Sequence, residues 1–217
     1  AFGDASVGNA KPVSLTASST LVGPDAGGYM LSLIGAPTTT ADITARPLTV
    51  IGLTGDNKEY DGNTNATASG VAALSGVVGL DDVTLGGTPT FTFVSAGIAN
   101  DITITTVGYT LGGADAGKYT LIQPTLSADI TPILLSLIGL TANNKPYDGT
   151  TAATISSYGT LTGYVTGDDV SLNATGASAA FDTPAAGVGK TVTVSGLFLD
   201  GTDAGNYTIG SPTTTAD

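Results

Sequence analysis

Carboxylates recur in pairs in this chain, and paired carboxylates are where chemistry would first be sought. Asp81-Asp82 returns as Asp168-Asp169, 87 residues further on. Calcium takes about six to eight hard oxygen ligands, several of them carboxylates. Asp81, Asp82, Asp168 and Asp169 are therefore the candidate calcium ligands. Neither pair carries the Asp-x-Asp-x-Asp-Gly spacing of a dedicated loop, and each stands just ahead of a Val-Thr-Leu or Val-Ser-Leu run. The plainer expectation is a turn in which Asp bonds its own backbone. Two aspartates could also act as the acid and nucleophile of a glycosidase. Every repeated Asp has a turn explanation, so no catalytic residue and no cofactor is expected.

Tyr60-Asp61-Gly62 and Tyr147-Asp148-Gly149 offer a second chemistry. A tyrosine face with a polar tip suits a sugar. The structural alternative is a buried Tyr that closes a sandwich, followed by an Asp-Gly turn. Recurrent Lys11, Lys58, Lys145 and Lys190 raise the idea of a Lys–Asn isopeptide bond, which also needs a carboxylate to shuttle protons. The one glutamate, Glu59, has Pro146 as its counterpart and cannot serve both copies. Solvated strand-end cations are the simpler expectation. Asn65-Ala-Thr67, Asn173-Ala-Thr175 and Asn206-Tyr-Thr208 match the N-glycosylation pattern, which a chain with 37 Thr also produces by chance.

Composition removes whole classes of function. The 217 residues include no Cys, His or Trp. Ordinary zinc sites, thiol nucleophiles and Ser-His-Asp triads are thereby excluded. Six basic residues against 18 acidic ones, a net charge of −12, repel nucleic-acid phosphate. The longest apolar stretch, Ile133 to Leu140, is broken by Ser136 and Gly139 and falls far short of the ~20 residues of a helical membrane span.

The elements that must position these residues repeat with them. Ile51-Gly-Leu-Thr-Gly-Asp-Asn-Lys-Glu-Tyr-Asp-Gly62 returns as Ile138-Gly-Leu-Thr-Ala-Asn-Asn-Lys-Pro-Tyr-Asp-Gly149. Asp115-Ala-Gly-Lys-Tyr119 returns as Asp203-Ala-Gly-Asn-Tyr207, and Asp25-Ala-Gly-Gly-Tyr29 precedes both. A closing tag, Ala-Asp-Ile, stands at Ala41 and Ala128 and begins again at Ala216. The expected organisation is 1–46 as the second half of a repeat, 47–132 as a complete module and 133–217 as a second, nearly complete module. Because the ends are out of register, the chain reads as an excerpt of a longer array. The alternative is a filament subunit completed by neighbouring chains.

Apolar residues alternate with Thr or Ser, as in Ile102-Thr-Ile104-Thr and Val192-Thr-Val194-Ser, which is the period of a half-buried strand. Gly and Asp pairs punctuate the runs. No segment shows a helical period. The expected fold is all-β, tandem immunoglobulin-like β-sandwich modules of about seven strands each. A β-grasp module is the alternative and would need a helix over the sheet. Asp-Ala-Gly-x-Tyr resembles the tyrosine corner of immunoglobulin domains, whose hydroxyl bonds the backbone of its own turn. Tyr29, Tyr119 and Tyr207 are accordingly expected to be structural, as are Tyr60 and Tyr147. Residues 12–45 are expected to form three strands with one uncovered apolar face. The junction around Pro132 has no Gly/Ser spacer, so a stiff connection is expected.

As a set, Lys-x-Tyr-Asp-Gly, Gly-Asp-Asp-Val, Gly-Lys-Thr-Val-Thr-Val, Asp-Ala-Gly-Asn-Tyr-Thr and Ala-Asp-Ile-Thr-Pro resemble the YDG repeat family and the related MBG repeats. The resemblance covers the whole chain. It implies repeats of a large bacterial surface or secreted adhesin: an extracellular stalk or fibre involved in attachment or biofilm matrix, without catalytic residues. The partners it implies are neighbouring repeats or copies of the same protein. A polysaccharide, or a host or abiotic surface, would be the adhesive partner. A filament subunit and a polysaccharide-binding module remain the alternatives. The position occupied by Ala10-Lys11, by Asn100-Asp101 and by Gly189-Lys190 varies between copies and is given no role.

Overall fold

Alternating Thr and β-branched residues form the strands, and one face of each run is buried. In strand Ala99–Gly112, Ile102, Ile104 and Thr106 are buried while Asp101, Thr103 and Thr105 face solvent. The computed structural model describes residues 1–16 and 18–217. It is nearly all β and sandwich-like. The described residues include no α-helix, only single 3-10 turns at Ala26–Gly28, Ala116–Lys118 and Ala204–Asn206, so the helix a β-grasp requires is missing among them.

Two compact units divide the chain, and they cut across the sequence repeats. The first comprises Ala1–Leu53, Gly70–Thr90 and Thr106–Pro124. The second comprises Thr54–Ser69, Phe91–Thr105 and Thr125–Asp217. Each complete repeat pairs its opening strand in parallel with its Tyr-bearing strand. In the first unit Arg46 stands opposite Tyr119 and Leu48 opposite Leu121. In the second, Ile133 stands opposite Tyr207 and Leu135 opposite Ile209. Leu48 and Val50 are buried in the first unit.

Residues 1–46 depart from the three-strand expectation. Their described residues form two antiparallel strands, Gly8–Val13 and Thr39–Ile43, with a bridge from Phe2 to Val13. The reason is the lack of partners. The counterparts of the segment between them are strands Phe198–Asp200 and Tyr207–Ile209, which pair with Ser171–Asn173 and Ile133–Ile138 from the first half of their own repeat. Residues 1–46 contain no such half, and an unpaired strand is not stable by itself.

The second unit is assembled from both repeats. One layer belongs to a five-stranded sheet ordered Lys58–Glu59, Thr125–Thr131, Ala99–Gly112, Thr84–Phe93, Asn65–Ala66. The other is a three-stranded sheet ordered Thr160–Thr162, Ile133–Ile138, Tyr207–Ile209. They bury one cluster: Tyr60, Phe93, Ile102, Ile104, Ala128 and Ile130 from the first repeat, with Leu135, Leu161 and Tyr207 from the second. Burying such side chains stabilises by roughly 1.5–3 kcal/mol each. Pro132 sits between strands Thr125–Thr131 and Ile133–Ile138, where the chain leaves the first layer for the second. Its fixed φ and missing donor suit a break between two sheets. A smaller cluster of Phe181, Val192 and Ala216 lies on a four-stranded sheet ordered Ala152–Ala153, Ser178–Phe181, Lys190–Ser195, Thr213–Ala216.

Candidate functional site

Three groupings of polar residues recur, and they absorb the motifs singled out by sequence. The first is a tyrosine–aspartate clamp. Asp-Ala-Gly makes a single 3-10 turn that delivers the following Tyr into a strand. The Tyr207 hydroxyl donates to Asp168 Oδ2 at 2.5 Å and accepts the Val165 N–H at 3.0 Å. The Tyr119 hydroxyl does the same with Asp81 Oδ2 at 2.7 Å and Val78 N–H at 3.0 Å. The tyrosine corner expected from sequence is thereby corrected. The hydroxyl binds a loop 38 to 42 residues upstream, not its own turn. A charged acceptor outcompetes the turn backbone for the phenol proton.

The second Asp of each pair holds the turn from the other side. Asp82 N–H donates to Asp115 Oδ2 at 2.8 Å, and Asp115 N–H donates to the Asp82 carbonyl at 3.0 Å. Asp169 and Asp203 repeat this at 2.9 and 3.1 Å. The chains approach so closely that a Cβ on Gly201, at φ +119°, would lie 2.1 Å from the Asp169 carbonyl oxygen. Asp81, Asp82, Asp168 and Asp169 thus face hydroxyl and amide donors. Among the described residues no group of three or more acidic side chains is placed to hold a metal ion. Burial, and then the Asp168 carboxylate, push the Tyr207 hydroxyl up to about 12. The hydrogen bond to Asp81, and then burial, push Tyr119 up. Lys118 pairs with Asp115 at 2.8 Å and lowers that carboxyl.

The second grouping is Lys-x-Tyr-Asp-Gly. Lys58 Nζ reaches Asp61 Oδ1 at 2.6 Å and the Asn63 carbonyl at 2.8 Å, and stands 5.6 Å from the centre of the Phe93 ring. Lys145 reaches Asp148 Oδ1 at 2.8 Å and the Thr150 carbonyl at 2.9 Å, also 5.6 Å from the Phe181 ring. These lysines clamp their own turn over an aromatic ring, a cation–π arrangement. Lys145 holds the Asp148 carboxyl down at about 2. Lys11 and Lys190 are likewise wrapped by the loop before them, through Ser6 and Thr183.

The tyrosines of this motif part company. Tyr60 is 7% exposed and packs edge-on to Tyr207, with ring centres 5.5 Å apart at 84°. Burial, and then the nearby Asp168, push its hydroxyl up. Tyr147 is 72% exposed. The picture of a Tyr closing a sandwich therefore does not describe Tyr147, because the ring that covers Tyr60 comes from the next repeat. Tyr29 is 74% exposed for a related reason: residues 1–46 contain no counterpart of the 78–82 loop that receives the Tyr119 hydroxyl.

The third grouping was missed by sequence reasoning. The Asp of the closing tag accepts the N–H of a residue at positive φ: Asp42 from Ala10, Asp129 from Asp101, Asp217 from Gly189. Those residues have φ of 50°, 52° and 65°. In the first two copies the register shifts there, as at a β-bulge. The tag Asp also exchanges hydrogen bonds with Asn57 or Asn144. The position given no role is thus a bulge, and its equivalents are Ala10, Asp101 and Gly189. The signal was available in the residue types, since Asp and Gly tolerate this backbone and a nearby Asp recurs.

Geometry of this kind defines an all-β tandem-repeat protein whose recurrent polar residues are engaged in turns, clamps and bulges. The family follows from the same motifs: the YDG domain matches residues 44–128 and again 131–216, and the chain belongs to that family. No curated protein and no solved structure matches the chain.

Proposed function

We propose that these repeats are the structural stalk of a bacterial surface or secreted adhesin, projecting a binding domain and contributing to attachment or biofilm matrix. The observation that carries this reading is the core shared by consecutive repeats, centred on Tyr60 and Tyr207. Load or bending applied to one repeat meets packed side chains of the next, with Pro132 as the connection in place of a flexible linker. The net charge of −12 disfavours collapse of crowded chains. The setting is extracellular, and the chain does not act as an enzyme, since its recurrent carboxylates are occupied by local donors.

Small-angle scattering tests the reading. A stalk predicts a concentration-independent radius of gyration well above the ~17 Å of a compact 217-residue globule. A value near ~17 Å together with saturable glycan binding would favour the polysaccharide-binding alternative. Growth of the particle with concentration would favour the filament subunit.

A further inference from the structure

The two copies of Lys-x-Tyr-Asp-Gly have the same internal geometry and different covers. In the first copy, Val165 and Tyr207 of the following repeat lie against the motif. A Cβ on Gly62 would meet Val165 Cγ1 at 3.2 Å, whereas the same probe on Gly149 meets nothing within 4 Å. Tyr60 is buried, Tyr147 exposed. Around Tyr147 an open cavity is lined by Lys145, Pro146, Phe181, Thr183 and Lys190. Lys145 and Lys190, each paired with an aspartate of its own loop, border this face together with Asp217.

We infer that the face around Tyr147 is the docking surface for a further YDG repeat, one that presents an Asp-Ala-Gly-x-Tyr tyrosine together with its aspartate partner. The occupant is not a second copy of this chain. Both tyrosines that carry a complete aspartate clamp, Tyr119 and Tyr207, are already buried at 7% and 5% exposure. Tyr29 is exposed but has no such loop within residues 1–46. The inference rests on packing within the second unit and does not depend on the stalk reading.

Tyrosine nitration with tetranitromethane, mapped by peptide mass spectrometry, provides the test, because the phenolate is the reactive form and burial suppresses it. The chain of 217 residues is compared with one in which a copy of residues 130–217 follows Asp217 directly. In the shorter chain Tyr147 should react more than about tenfold faster than Tyr60, at every protein concentration. In the extended chain Tyr147 should slow to the Tyr60 rate, and the corresponding tyrosine of the appended copy should become the fast site. Replacing the appended tyrosine that corresponds to Tyr207 with serine should restore fast nitration of Tyr147. A second extension, built from residues 43–129, should protect Tyr147 equally. Failure of both extensions to slow Tyr147 overturns the inference. So does protection of Tyr147 in the 217-residue chain that grows with concentration, which would identify a second copy as the occupant.

Discussion

Replacing Tyr207 by Phe removes one oxygen and leaves the ring, so no cavity opens and the effect isolates the clamp. The hydroxyl makes two hydrogen bonds, donating to Asp168 at 2.5 Å and accepting from Val165 N–H at 3.0 Å. A hydrogen bond to a charged group contributes about 1.5–3 kcal/mol. Leaving a part-buried N–H without its acceptor costs about 1–3 kcal/mol more, although water reaching the loop offsets some of this. The two effects share one atom and do not simply add, so the expected loss is about 2–4 kcal/mol. For a chain of this size each kcal/mol moves Tm by about 2–4 °C, giving a fall of roughly 4–16 °C if the unit melts cooperatively. Urea unfolding followed by circular dichroism, with the m-value checked for constancy, measures it. Tyr119→Phe should behave alike through Asp81 and Val78. Tyr29→Phe, at an exposed ring, should change stability by less than about 0.5 kcal/mol. A Tyr207→Phe loss no larger than that of Tyr29→Phe would refute the clamp as a stabilising element.

Alkaline unfolding should depend on the same hydroxyl. Its folded pKa of about 12 lies above the ordinary value of 10.0. Between those values the native state keeps a proton that the unfolded chain has released. This contribution is therefore complete below pH ~10 and lost as pH rises through ~12, amounting to about 1–2 kcal/mol once solvent screening is allowed for. Urea midpoints at pH 9 and pH 11 should converge in Tyr207→Phe relative to the parent; identical slopes would contradict the assignment. Gly201→Ala places a Cβ against the Asp169 carbonyl at positive φ, whereas Gly167→Ala, at φ +104°, meets no atom within 4 Å. The first should cost about 2–4 kcal/mol and the second about 1 kcal/mol, and equal costs in thermal melts would argue against the close approach at Asp169.

Period-two alternation of Thr with Val or Ile made the strands legible, because burial on one face leaves that mark directly in residue order. Motif recurrence likewise made the repeats legible. What periodicity cannot supply is phase. In an array, any window of about 87 residues is an equally good repeat, so the partnership of Tyr60 with Tyr207 across Pro132 left no trace distinguishing it from packing within one repeat. The clamps were hidden for a different reason. Asp81-Asp82 and Asp115-Ala-Gly each had a sufficient local explanation as a turn, and nothing in either motif pointed to the other. Residues 1–46 alternate like strands, yet strand formation depends on partners, and the segment holds no counterpart of Ser171–Asn173 or Ile133–Ile138. The bulge at Asp101 was missed through an alignment one residue off, since Asn100-Asp101 and Gly189-Lys190 match equally poorly as letters while Asp101 and Gly189 share a backbone conformation.

The claim on which the account turns is that consecutive repeats share one core. A double-mutant cycle on Tyr60→Ala and Tyr207→Leu, read by urea unfolding of the full chain, measures it at the single contact that defines the shared core. Rings packed edge-on at 5.5 Å predict a favourable coupling of about 0.5–1.5 kcal/mol. Strictly additive losses, within about 0.3 kcal/mol, would mean that the two tyrosines stabilise separate modules.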